Sequence, residues 1–236
     1  MSGLKKILLA FATLLLLCSG VAGYLYWSLG QTDSLQWSIQ EFEKADQIHP
    51  PNPGVIVFTG SSSIHFWDTL ADDMKPLDVV NRGFGGSQIA QVNHYAGRIV
   101  IPYHPRAVVL YAGENDLSPP WSKSPEKVFA DFQQFVQIIH SQLPDTWIYY
   151  ISMKPSPSRL SNWEKFQRTN KLIEDYIRTL DRVQFVDIRP VMLNAQGKPR
   201  GELFRVDGLH MNAQGYVLWT SIIKPILLNR FGPPSS

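Results

Sequence analysis

The chain has 236 residues, of which 44% are hydrophobic and 18% charged, enough for one well-buried domain and too few for two comfortable ones. Its formal net charge of +2 comes from Lys5 and Lys6, so the rest of the chain is balanced and offers no electrostatic case for a nucleic-acid partner. Cys18 is the only cysteine, which excludes an internal disulfide and a cysteine-built zinc site.

In chain order, the first element is the uncharged run Ile7 to Trp27, which as a helix reaches roughly 30 Å, the thickness of a bilayer core. Lys5 and Lys6 before it, and Tyr24, Tyr26 and Trp27 at its far end, are the flanks of a membrane anchor whose following domain is exported. A cleaved signal peptide processed near Gly20 and Ala22 is the alternative, and it exports the domain equally. A lipoprotein site at Cys18 fits less well, because bulky Leu17 precedes it. Residues 1–27 are thus read as anchor or signal, and residues 28–54 as a linker and an amphipathic helix capped by Asp33 or Ser34, with Leu35, Ile39 and Phe42 on one face. The run Pro50-Pro51-Asn52-Pro53-Gly54 ends that helix.

From residue 55 the pattern alternates. Strands are expected at 55–59, 78–81, 107–112, 147–152 and 183–187, and helices from about 63, then at 89–100, 125–142, 161–180 and 213–229. Five apolar, β-branched runs separated by helical patterns describe an α/β fold, a three-layer α/β/α sandwich with a flavodoxin-like five-stranded parallel sheet. It occupies residues 55–230, and residues 231–236 read as a loose tail.

Ligands of such sheets bind beyond the carboxyl ends of the strands, and the residues there carry chemistry. The first strand ends in Gly60-Ser61-Ser62-Ser63, the second in Asn81-Arg82-Gly83-Phe84-Gly85-Gly86-Ser87, the third in Gly113-Glu114-Asn115-Asp116. Near the end of the chain, Asp207-Gly208-Leu209-His210 puts a carboxylate three residues before an imidazole. A serine hydroxyl needs a base to take its proton, and the base needs a third group to fix its tautomer. Acyl transfer also needs N–H donors aimed at the oxyanion. Each piece has a plainer reading: the serine turn as a helix cap or anion loop, Asp207-x-x-His210 as a surface cap. The glycine block fails the dinucleotide fingerprint, because Gln88 stands in place of its third glycine. Spacing alone does not choose among Ser61, Ser62 and Ser63.

Taken together, these segments resemble the SGNH hydrolases, or GDSL esterase/lipase family, over residues 52–228, and the layout is similar to the platelet-activating-factor acetylhydrolase-type branch. The resemblance implies Ser62 as nucleophile, Asp207 and His210 as acid and base, and Gly86 and Asn115 as oxyanion donors. Ser61 departs from the pattern, standing where the family's name-giving aspartate lies. The implied activity is cofactor-free hydrolysis of carboxylic esters, acyl or acetyl groups on a small molecule, lysophospholipid or glycan, through an acyl-enzyme. An envelope acyltransferase using the same triad and a non-catalytic glycan- or anion-binding module are the alternatives, the intact Asp207 and His210 pair arguing against the second.

His49, His65, His94, His104 and His140 show no metal-ligand spacing, and His65 is expected to be structural. Trp67, Phe84, Tyr111 and Trp121 are candidates for a pocket lining, though core positions are the commoner fate of such residues. The segment Lys154-Pro155-Ser156-Pro157-Ser158-Arg159 reads as a rigid rim loop. Nothing in the sequence sets the oligomeric state.

Overall fold

The computed structural model of the chain describes residues 35–232, together with residues 11, 13, 19 and 20. Its strands are β1 (Ile56–Gly60), β2 (Val79–Gly83), β3 (Ala107–Tyr111), β4 (Trp147–Ile151) and β5 (Val183–Val186). All pairings are parallel, in the order β2-β1-β3-β4-β5. This is the flavodoxin-like order, in which winding reverses beside β1, and ligands of such sheets bind beyond the carboxyl ends of the strands at that reversal. The helices are α1 (Gln36–Ile48), α2 (Ser62–His65), α3 (Leu70–Asp73), α4 (Ile89–Ile99), α5 (Glu114–Leu117), α6 (Pro125–Gln142), α7 (Trp163–Ile177), α8 (Arg189–Met192) and α9 (Ala213–Phe231).

The central strands β1 and β3 are buried at every position, which is why they read as unbroken apolar runs and not as alternation. Side chains alternate between the two faces. On one face Phe58, Val109, Tyr111 and Tyr149 join Trp67, Tyr216 and Trp219 under α9. On the other, Tyr150 meets Phe132 of α6 with ring centroids 5.0 Å apart, and α6 packs against α4 and α7. The result is the expected three-layer sandwich. Helix α1 is fastened to it by charge: the Arg82 guanidinium pairs with Asp46 and donates Nε to the Tyr103 hydroxyl at 2.8 Å, and Arg98 grips Glu43 through two bonds of 2.7 Å. Burial and the neighbouring Asp46 carboxylate push the Tyr103 phenol up to about 12.

Several sequence expectations shift. The helix expected from about residue 63 is two single turns, α2 and α3, because the Asp73 carboxylate accepts from Trp67 Nε1 at 2.7 Å and Thr69 Oγ1 at 2.6 Å. These side-chain bonds compete with a continuous backbone ladder. The long helix expected at 161–180 is shorter: Pro157–Asn162 is a 3₁₀ segment with Arg159 off helical geometry, and α7 begins only at Trp163. Strand β2 extends to Gly83, since Arg82 and Gly83 pair with Thr59 and Gly60. Phe84 and Tyr111 lie in the core, and Trp67, also buried, borders a cavity with His65, Asp68 and Asn81. Among the described residues no helix is long and apolar enough to cross a membrane. The segment Ile7 to Trp27 falls outside them except at residues 11, 13, 19 and 20, as do the proposed caps Asp33 and Ser34 and residues 233–236.

Gly60 closes β1 at φ +126°, and a Cβ there would sit 1.9 Å from the Tyr111 carbonyl oxygen of β3. The site downstream of β1 depends on this close approach. Gly60→Ala is therefore expected to lower Tm by about 10 °C or more, a loss of about 3 kcal/mol for a domain of this size. A thermal melt indistinguishable from the parent would contradict this packing.

Candidate active site

Gly60 lets the chain turn out of β1 so that Ser61 N–H donates to Tyr111 O at 2.9 Å and α2 starts at Ser62. Of the three serines, Ser61 and Ser63 are buried, and Ser63 Oγ accepts from Lys154 Nζ at 3.0 Å. Ser62 alone is partly open, and its Oγ lies 3.0 Å from His210 Nε2, across 148 residues of sequence. The structure thus separates three residues that spacing leaves equivalent.

His210 and Asp207 occupy the loop before α9. His210 Nδ1 is 2.6 Å from Asp207 Oδ2, so an Nδ1–H donated to the carboxylate leaves Nε2 as the acceptor facing Ser62. The other oxygen, Asp207 Oδ1, accepts the N–H groups of Leu209 and His210, each at 2.9 Å. Partial burial pushes this carboxyl up, but the Leu209 N–H, the imidazole and the His210 N–H together hold it at about 2. The stabilisation this provides is fully present above the ordinary aspartate value and is lost only as pH falls through about 2. The imidazole is also braced from the side: Phe66 meets it edge-on with centroids 4.9 Å apart, and the Arg205 guanidinium covers Phe66 at 5.0 Å.

The other predicted residues lie on adjacent strand ends. Asn115 is buried, with Nδ2 donating to Ser87 O at 2.9 Å and Oδ1 accepting from Arg159 Nη2 at 2.9 Å. The bond to Ser87 ties the end of β3 to the glycine loop after β2, where Gly86 adopts φ +79° and is exposed. Among the described residues the backbone N–H groups of Ser62 and Gly86 make no hydrogen bond. One Nδ2 hydrogen of Asn115 is likewise uncommitted. These are donors of the kind an oxyanion needs.

Sequence reasoning missed what lies beneath. Lys154, 1% exposed, donates Nζ to Glu114 Oε2 at 2.6 Å, to Ser63 Oγ at 3.0 Å and to the Tyr111 hydroxyl at 3.2 Å. The Tyr111 hydroxyl in turn donates to Glu114 Oε2 at 2.7 Å. Burial pushes the Lys154 ammonium down, against the pull of Glu114, and pushes the Tyr111 phenol well up, with Glu114 adding to the shift. Asn81 also works across elements, donating to Ile64 O at 2.7 Å and accepting from Gly83 N at 2.9 Å. Tyr216 of α9 donates its hydroxyl to Ser63 O at 3.0 Å. The available signal was positional: a lysine and a glutamate each just past an apolar strand that neighbours the other. Among the other histidines, exposed His65 stands with Nδ1 3.2 Å from Gly83 O. Among the described residues no group of three His, Cys, Asp or Glu is placed to hold a metal ion.

The sequence model of the GDSL-like Lipase/Acylhydrolase family matches residues 46–218. A curated relative, N-acylneuraminate cytidylyltransferase from Escherichia coli O18:K1:H7 (strain RS218 / NMEC), is 25% identical over 178 residues, which is 73% of this chain and 40% of that protein. The chain thus spans well under half of that relative. A structure provisionally described as a platelet activating factor from Streptococcus pneumonia is similar at TM-score 0.74 and 20% identity, over 89% of this chain and 99% of the other. A GDSL-like lipase from Bacteroides thetaiotaomicron VPI-5482 is similar at TM-score 0.71 and 21% identity, over 81% and 97% of the two chains. At these identities the solved structures speak to the fold.

Removing the lysine leaves the Glu114 carboxylate buried without its partner. Lys154→Met is expected to cost about 3–5 kcal/mol in urea unfolding. The double variant Lys154→Met, Glu114→Leu should recover most of that loss. A single variant within about 1 kcal/mol of the parent would mean that the pair is not buried as described.

Proposed function

Because the chain belongs to the GDSL-like lipase/acylhydrolase family and is an ester hydrolase of the esterase/lipase type, we propose that it cleaves acyl or acetyl esters carried on a lipid or glycan through a Ser62–His210–Asp207 acyl-enzyme. The observation that carries this reading is the unbroken line of hydrogen-bonding atoms from Ser62 Oγ through the imidazole to Asp207. His210 Nε2 takes the Ser62 proton as Oγ attacks the ester carbonyl. The carbonyl oxygen becomes an oxyanion facing the N–H groups of Ser62 and Gly86 and the Asn115 amide. Collapse of the tetrahedral intermediate breaks the bond to the alcohol, which leaves with the proton from His210. Water, deprotonated by the same imidazole, then releases the acid and restores Ser62. Asp207 holds the ring in the required tautomer throughout.

The lowered pKa of Asp207 supports this division of labour, since a carboxylate held at about 2 stays charged at any working pH and can stabilise the imidazolium. The curated relative is named for N-acylneuraminate, an acidic sugar, which favours a glycan carrier. Export of the domain by an N-terminal anchor or signal is also proposed, on the uncharged run from Ile7 to Trp27 behind Lys5 and Lys6.

Two measurements test these readings. Ser62→Ala is expected to abolish hydrolysis of nitrophenyl acetate while Ser61→Ala retains much of it, and Asn115→Ala to lower kcat by about 10²-fold, roughly 3 kcal/mol, with little change in KM. Activity surviving in Ser62→Ala, or an Asn115→Ala effect confined to KM, would contradict the mechanism. Full-length protein should sediment with membranes, resist extraction by high salt and be digested by protease from outside the inner membrane. A soluble mature form beginning near Gly23 would replace the anchor with a cleaved signal, and protection in the cytoplasm would contradict export.

A further inference from the structure

Arg159 stands apart from every other arginine among the described residues. Arg82, Arg98, Arg168, Arg178, Arg182, Arg189 and Arg200 each pair with a carboxylate. Arg106, Arg205 and Arg230 each lie over an aromatic ring. The half-buried Arg159 has neither, and its guanidinium makes a single hydrogen bond, from Nη2 to Asn115 Oδ1 at 2.9 Å. The acids nearest the site are committed elsewhere: Glu114 to Lys154, Asp116 to Lys123 and Asp207 to His210.

The backbone around Arg159 is fixed on the side of the acid–base loop. Ser158 donates both its N–H and its hydroxyl to Gly208 O, each at 3.1 Å, so the segment Pro157–Asn162 is joined to the loop of Asp207 and His210. A guanidinium held half out of water without a counter-charge loses solvation that a protein anion would ordinarily offset. Its planar fork of N–H donors matches a carboxylate or phosphate better than an ammonium would. Here that fork sits one hydrogen bond behind the Asn115 amide, with Nε and Nη1 uncommitted.

We propose that Arg159 is a specificity-determining residue that holds the Asn115 amide by its carbonyl and presents its remaining N–H groups to an anionic oxygen group of the substrate, a few bonds from the scissile ester. The substrate class is then acyl esters of anionic carriers, either a carboxylated sugar or an acylated glycerophosphate. This rests on the reading of Ser62 as nucleophile and Asn115 as oxyanion donor. Binding of the anion raises the population of productively placed ester, so its loss appears mainly in KM. The contact with Asn115 acts on all substrates alike and appears in kcat.

The test uses the full chain and two matched pairs of acetyl esters: an acetylated neutral hexose against the corresponding uronic acid, and acetylglycerol against acetylglycerol 3-phosphate. The parent should favour the anionic member of at least one pair by about tenfold or more in kcat/KM, through KM, with the preference shrinking as salt is raised. Arg159→Met should bring that ratio to about one, and Arg159→Lys should retain part of it. The pair that responds identifies the anion as carboxylate or phosphate. No preference in either pair, a preference that survives Arg159→Met, or an equal loss on neutral and anionic esters would each overturn the proposal. Hydrolysis of the neutral esters, abolished by Ser62→Ala, reports separately on the nucleophile, so failure of the charge reading and failure of the mechanism give different results.

Discussion

The buried Lys154–Glu114 pair is the contact on which the rest of the site depends. It joins the segment after β4, the turn after β3 and, through Ser63 Oγ, the helix that begins at Ser62. An ion pair taken out of water is a poor source of net stability, because desolvation cancels much of the attraction. What it supplies here is a fixed point between neighbouring strand ends, the ammonium after β4 being bonded at once to Glu114 and Tyr111 at the end of β3 and to Ser63 beyond β1. An apolar contact at the same place would tolerate sliding. The positions of the three strand ends relative to one another are what an acyl-transfer site requires, since an oxyanion donor displaced by an ångström loses most of its effect.

From that buried pair outward, each layer is held by the one below. Ser63 is covered and bonded from both sides, by Lys154 at its hydroxyl and Tyr216 at its carbonyl, so the neighbouring Ser62 is carried at a fixed angle toward solvent. Asn115 is fixed by Ser87 and Arg159 at its two ends. The loop of Asp207 and His210 is the most exposed part, with the Asp207 side chain 45% exposed, and it is secured by short local bonds and by the edge-on contact of His210 with Phe66.

Much of the fold was legible because a doubly covered parallel sheet imposes a simple pattern: Val55–Thr59 and Ala107–Ala112 are apolar or β-branched at every position, as strands with no solvent face must be. The proposed reacting groups stood out in the sequence because Ser62 and Asn115 lie just past apolar strands and Asp207 and His210 share one four-residue segment. What the sequence hid depends on contacts between distant segments. A lysine beside Pro155 and Ser156 reads as a surface residue until Glu114 of the adjacent strand end lies against it. The break between α2 and α3 is a local matter instead, set by Asp73 accepting from Trp67 and Thr69 six and four residues before it. The choice among Ser61, Ser62 and Ser63 needed either the family resemblance or the burial of the two neighbours.

In the proposed mechanism Ser62 is the one serine made nucleophilic by His210. The most direct measurement is labelling of the full chain with a fluorophosphonate followed by peptide mapping by mass spectrometry. A single adduct on Ser62 is expected, lost in His210→Ala, where the Ser62 hydroxyl no longer has a base within reach. An adduct on Ser61 or Ser63, or labelling of Ser62 undiminished by loss of the imidazole, would contradict it.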